Sequence, residues 1–179
     1  IWIKMNSLVD ETLIDALYEA SAAGVQIDLI VRGVCALKPG VPGLSDNIRV
    51  RSVIGRFLEH SRVFYFRMGE VEELYLSSAD WMNRNMFGRI ELAWPVTDPV
   101  LRQRIIDECL VAYIHDTSNA WDLQADGTYQ RVQPPAHGRK EGAQAALMAR
   151  YGTQASGSVS KTGKSGSKPR KPAQNNAVN

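Results

Sequence analysis

The sequence predicts an α/β domain, a mixed β-sheet flanked by helices, followed by a disordered carboxy-terminal tail. Three observations predict it. A strand pattern at residues 1–6, helical periodicity at 11–23 and a second strand pattern at 25–31 follow one another as a βαβ unit. Two aromatic-rich runs, Val63-Phe64-Tyr65-Phe66 and Glu73-Leu74-Tyr75-Leu76-Ser77, flank a short polar gap, as the arms of a hairpin do. From Gly152 the chain is rich in Gly, Ser, Lys, Pro and Asn and cannot bury enough apolar surface to fold. The expected division is a domain over 1–151 and a basic tail over 152–179.

Each element has its local reason. Ile1-Trp2-Ile3 opens a strand that ends at Lys4, Asn6 and Ser7. Asp10 is placed to cap a helix, with Glu11 at the positive end of its dipole. Leu13, Ile14, Leu17 and Ala20 or Ser21 recur at helical spacing, and Gly24 stops the helix. Val25–Val31 is the second strand, and Arg32-Gly33 falls just past its carboxyl end, where open α/β sheets bind ligands. Pro39, Gly40, Pro42, Gly43 and Asn47 make a turn-rich loop. Residues 48–53 read as a strand with Arg49 and Arg51 on one face. Arg67-Met68-Gly69-Glu70 is the hairpin turn, and Ser77–Asn85 a dense polar knot. Arg89–Trp94 alternates and suggests another strand. Thr97 or Asp98 caps a helix with Pro99 in its first turn and an apolar face of Leu101, Ile105, Leu110 or Val111, and Ile114. Residues 116–135 read as polar loop with a small hairpin at Asp126-Gly127, and Gln144–Tyr151 as a short helix.

Composition narrows the function classes. Of 179 residues 44% are hydrophobic, enough for one core. The net charge of +2 hides a split: the last 29 residues carry five of the 21 Lys and Arg and no acid. That leaves 16 basic against 19 acidic residues, a net of −3, in the first 150. The alkaline pI comes from the tail and does not indicate a nucleic-acid-binding domain. Cys35 and Cys109 fit no metal spacing and read as buried reduced thiols. No apolar run reaches the ~18 residues a membrane span needs. The chain opens in mid-pattern without an initiator Met, as a fragment of a longer polypeptide would.

The chemistry-bearing stretch runs from Arg49 to Arg62. It sets His60 among Arg49, Arg51, Arg56 and Arg62. Guanidinium forks donate paired hydrogen bonds to phosphate oxygens, and a histidine among them can hold charge on a phosphate. The ordinary reading of a lone histidine is structural, and surface arginines often serve only in ion pairs. His115, at a helix's carboxyl end, is read as structural. Asp80 and Arg84 are candidates to pair with each other.

Several of these runs resemble the last domain of bacterial polyphosphate kinases. They are Lys4-Met5-Asn6-Ser7-Leu8-Val9-Asp10, Val31-Arg32-Gly33-Val34-Cys35, Pro39-Gly40-Val41-Pro42-Gly43-Leu44-Ser45, Ile48–Ser52, Glu59-His60-Ser61-Arg62 and Tyr75–Asn85. The resemblance covers about residues 1–150. It implies a phospholipase-D-like half unit, and an enzyme that reversibly moves the terminal phosphate of ATP onto inorganic polyphosphate. It implies that Arg32 and His60 contact the nucleotide phosphates, with His60 in a catalytic role. Lys4, Asn6, Arg49, Arg51, Arg62, Ser78, Asp80 and Arg84 are candidate phosphate or polyphosphate contacts. His60-Ser61-Arg62 is this half's motif, with arginine where the hydrolases carry lysine. The histidine that becomes phosphorylated and the residues contacting Mg2+ belong, by the same resemblance, to a preceding domain, so no metal ligand is assigned here. ATP, ADP, polyphosphate and the upstream domains are the implied partners, in a homo-oligomer, in the cytoplasm or associated with the membrane. Two alternatives stay open: a phosphodiesterase of the phospholipase-D type using His60 as nucleophile, and a non-catalytic polyphosphate-binding module.

Overall fold

The computed structural model describes residues 1–134 and 142–158. One eight-stranded sheet runs β6-β5-β4-β1-β2-β3-β7-β8. Its centre is the βαβ unit: β1 (Trp2–Met5), α1 (Glu11–Ala22) and β2 (Ile27–Val31), with β1 and β2 parallel. β3 (Ile48–Val53) continues the parallel set beside β2. The hairpin of β4 (Arg62–Met68) and β5 (Val71–Ser77) adds antiparallel to β1 and turns at Gly69, whose φ of 59° suits glycine. The sheet is therefore mixed, with helices against it.

Alternation along the strands divides the core between the two faces. Ile3, Met5, Ile27, Leu29, Val31, Ile48 and Val50 bury against Ile14 and Leu17 of α1. Asp10 caps that helix, its side chain accepting from the Leu13 N–H at 3.2 Å. On the other face Ile30, Val53, Val63, Tyr65 and Ala120 pack against Ile106, Leu110 and Tyr113.

That second layer departs from the expected periodicity. Asp98 caps α3 (Pro99–Ile105) as expected, but Ile106–Val111 is π-helical before α4 (Ala112–Ile114) resumes. A π turn takes an extra residue, so the apolar stripe shifts phase. Ile106, Leu110 and Tyr113 are buried, whereas Leu101 of the expected face is 53% exposed.

Three other elements differ from expectation. The strand expected over 89–94 is only β6 (Ala93–Pro95). Ser78 takes the Leu92 backbone, donating its N–H to the Leu92 carbonyl and accepting the Leu92 N–H at Oγ. Leu92 is thereby held out of the ladder. β7 (Ala120–Leu123) and β8 (Tyr129–Arg131) form the expected hairpin over Gly127, but β7 also pairs with β3 and extends the main sheet. α5 runs Ala143–Ser158, so residues 152–158 are helical where the sequence reads as tail. Residues 159–179, the rest of the expected tail, lie outside the described residues, as does His137.

Candidate functional site

The carboxyl ends of β1, β2 and β3 meet the amino end of β4 and the carboxyl end of β5 at one edge of the sheet. Asp80, 4% exposed, is the fastener of this edge. Its carboxylate accepts the Asn6 N–H at 2.7 Å, the Ser7 N–H at 3.2 Å and Arg62 Nη2 at 2.9 Å. Burial would raise its pKa, but Arg62 and the two backbone donors outweigh that and hold it below the usual carboxylate range. Asp80 therefore pairs with Arg62 and not with Arg84, which is exposed on α2 (Asn83–Phe87).

Asn6, fixed by Asp80, presents Oδ1 to Arg32 Nη2, and Arg32 Nη1 donates to the Glu59 carbonyl. Arg32 sits immediately after β2 and is half-buried. Two of its five N–H donors, one on each Nη, are spent on these acceptors, which leaves three. His60, one residue after Glu59, is exposed, and its carbonyl accepts from Arg62 Nη1 at 3.2 Å. The structure thus gathers Asn6, Arg32, His60, Arg62 and Asp80 at one edge. Ser78 stands at the end of β5 with Oγ against Glu91.

Lys4 adjoins this edge through Glu59, whereas Arg49 and Arg51 lie elsewhere. Lys4 is 4% exposed on the face that packs against Tyr113, its ammonium 3.0 Å from Glu59 Oε2 and 3.4 Å above the Tyr113 ring. Burial lowers its pKa, partly offset by Glu59. Arg49 pairs with Asp28 at 2.7 Å and Arg51 with Asp122 at 2.7 Å. Both line a cavity of about 350 Å³ with Asp28, Asp122, Ile114 and Gln124. A second cavity, about 210 Å³, lies against Arg32, Gly33, Ser52, Ile54, Trp121 and Tyr129.

Sequence reasoning singled out neither Glu59 nor Gln144. Glu59 was visible as an acid among arginines, but its partners Lys4, Tyr113 and Gln144 are distant in sequence. The cysteines are free and half-buried; burial pushes Cys35 up to about 11 and raises Cys109 as well. Among the described residues no three His, Cys, Asp or Glu side chains group as a metal site requires.

This fold, with its charged carboxyl edge, defines the class: an α/β half unit of the phospholipase-D-like kind. The chain belongs to the family described as polyphosphate kinase C-terminal domain 2, whose model matches residues 1–144. It is 55% identical over 148 residues to the polyphosphate kinase of Burkholderia ambifaria, covering 83% of this chain and 21% of that protein. Against the polyphosphate kinase of Burkholderia lata it is 59% identical over 128 residues, 72% of this chain and 19% of the other. The crystal structure of polyphosphate kinase from Porphyromonas gingivalis superimposes with a TM-score of 0.81 at 42% identity, over 87% of this chain and 24% of that one. The chain spans about a fifth of the length of the curated relatives it matches.

Proposed function

We propose that this chain is the part of a polyphosphate kinase that brings Arg32 and His60 to the transferring phosphate. The reaction moves the terminal phosphoryl group of ATP to an end oxygen of inorganic polyphosphate, reversibly, with ADP as the other product. The observation that supports this best is Arg32, pinned by Asn6 and Glu59 beside an exposed His60. A guanidinium already held in place by two acceptors offers its remaining donors to phosphate oxygens with little ordering cost. A ring N–H of His60 donates to an oxygen of the group in flight; phosphoryl transfer needs such positioning and charge neutralisation more than covalent help.

Mg2+ and the phosphorylated histidine come, in this reading, from the upstream domains of the same polypeptide. Magnesium supplies charge neutralisation there. Among the described residues no group of carboxylates fits it, and Asp80 at this edge is already filled by Arg62 and two backbone donors. Arg49, whose side chain is 77% exposed, and Arg51 offer a polyphosphate path along the larger cavity, exchanging Asp28 and Asp122 for phosphate. The reading also carries a homo-oligomer in the cytoplasm; no described helix is long and apolar enough to cross a membrane.

The test is ATP-dependent polyphosphate synthesis by the full-length enzyme carrying His60→Ala. Loss of one donor to developing charge costs about 100-fold or more in kcat. Unchanged synthesis would remove His60 from the chemistry and the proposal with it.

A further inference from the structure

We propose that Gln144, in the first turn of α5, is a positioning residue that sets Arg32 and His60 through the loop over residues 54–59. This rests on the reading of that edge as a phosphate site. The loop needs an external hold. It lies between β3 and β4 outside any strand, tied at its first residue by the Ile54 N–H to the Asn119 carbonyl, and Ile54, Phe57 and Leu58 are 62%, 49% and 80% exposed. Apolar burial therefore does little to fix it.

Gln144 supplies what burial does not. Its side chain is 6% exposed and reaches across 87 residues of sequence to Phe57. The Phe57 N–H donates to Oε1 at 2.9 Å, and Nε2 donates to the Phe57 carbonyl at 2.8 Å. The carboxamide thus pairs with one residue's backbone as a neighbouring strand would. The same Nε2 donates to Glu59 Oε1 at 3.0 Å. Glu59 is then held from both ends, its other oxygen taking Lys4 and its backbone carbonyl taking Arg32. His60 is the next residue.

Two further contacts fit this role. A Cβ on Gly55 would lie 2.7 Å from Gln144 Cδ and closer still to Oε1, so the loop leaves a notch that the carboxamide fills. At the start of α5 the Ala143 N–H donates to Asp116, 1% exposed, at 2.7 Å, which fixes where Gln144 begins. α5 is therefore connected to Arg32 by an unbroken chain of hydrogen bonds.

The test uses the full-length kinase with Gln144→Ala, Gly55→Ala, and Gln144→Ala combined with Arg32→Ala. Gln144→Ala and Gly55→Ala are each expected to lower kcat about tenfold, with KM for ATP within about twofold, because misplacement weakens transition-state contacts more than ground-state binding. In the Arg32→Ala background, Gln144→Ala is expected to cost less than about threefold more, since residues acting as a unit are not additive. Unchanged kcat in Gln144→Ala, or a full tenfold further loss without Arg32, overturns the inference. If Gln144→Ala does not melt cooperatively, Gln144→Glu decides by the same criteria, as it keeps the acceptor for Phe57 and loses the donor. Arg32→Ala and His60→Ala run alongside: normal activity in both defeats the phosphate-site reading itself, whereas their loss with an intact Gln144→Ala defeats only the positioning role.

Discussion

Lys4, read from the sequence as a candidate phosphate contact, is held inside the fold. Its ammonium is buried between Glu59 and the Tyr113 ring, and removing one member of a buried ion pair leaves the other uncompensated. Lys4→Met is expected to destabilise the domain by about 3 kcal/mol, and Lys4→Met with Glu59→Gln by distinctly less, read by denaturant unfolding. The pH dependence has a definite sign. Burial raises the Glu59 pKa, but hydrogen bonds from Tyr113, Lys4 and Gln144 outweigh it and leave it below the ordinary carboxylate value, as at Asp80. A lowered folded-state pKa adds stability above the unfolded value, lost as pH falls through the folded one. Acid should therefore loosen the carboxyl edge, and Asp80→Asn should flatten the fall in melting temperature below about pH 4. The motif residues at this edge were legible because Arg32, Asn6 and His60 sit at strand ends. Their fixing partners were not, since no periodicity links Glu59 to Gln144.

At the scale of elements, end signals were read more reliably than middles. Asp10 was legible as a cap, and Asp98 as one of two candidates beside Thr97, because a short acceptor before an apolar-periodic run has one good use, accepting the N–H three residues on. Asp10→Ala is expected to cost about 1 kcal/mol, measured as a shift in the denaturant midpoint with an unchanged slope. The π-helical stretch at Ile106–Val111 was not legible, because its apolar residues also suit an ordinary α-helical phase. With the wider turn, Leu110 and Tyr113 bury against β-strand side chains and the Tyr113 ring lies under the Lys4 ammonium. The pairing of β7 with β3 escaped notice for a related reason: four residues of strand carry little pattern beyond their own hairpin.

Across the whole molecule, the two groups read as nucleotide-phosphate contacts, Arg32 and His60, lie on one edge of the sheet. Arg32 and His60 are both donors, and the carboxylates beside them are already bound: Glu59 by Lys4 and Gln144, Asp80 by Arg62. Such an edge can hold an anion from one side, but it contributes no free carboxylate for a metal and only one histidine. Two-sided chemistry therefore needs a facing surface, and the chain covers about a fifth of its relatives' length. In polyphosphate synthesis from ATP, the 179-residue chain alone is expected to give no product, and the chain mixed with the upstream domains measurable product. The recovered activity should disappear with His60→Ala in this chain, since a donor on one side cannot be replaced from the other. Product from the chain alone would mean that this edge completes its own site, by pairing with a second copy or by using a nucleophile of its own.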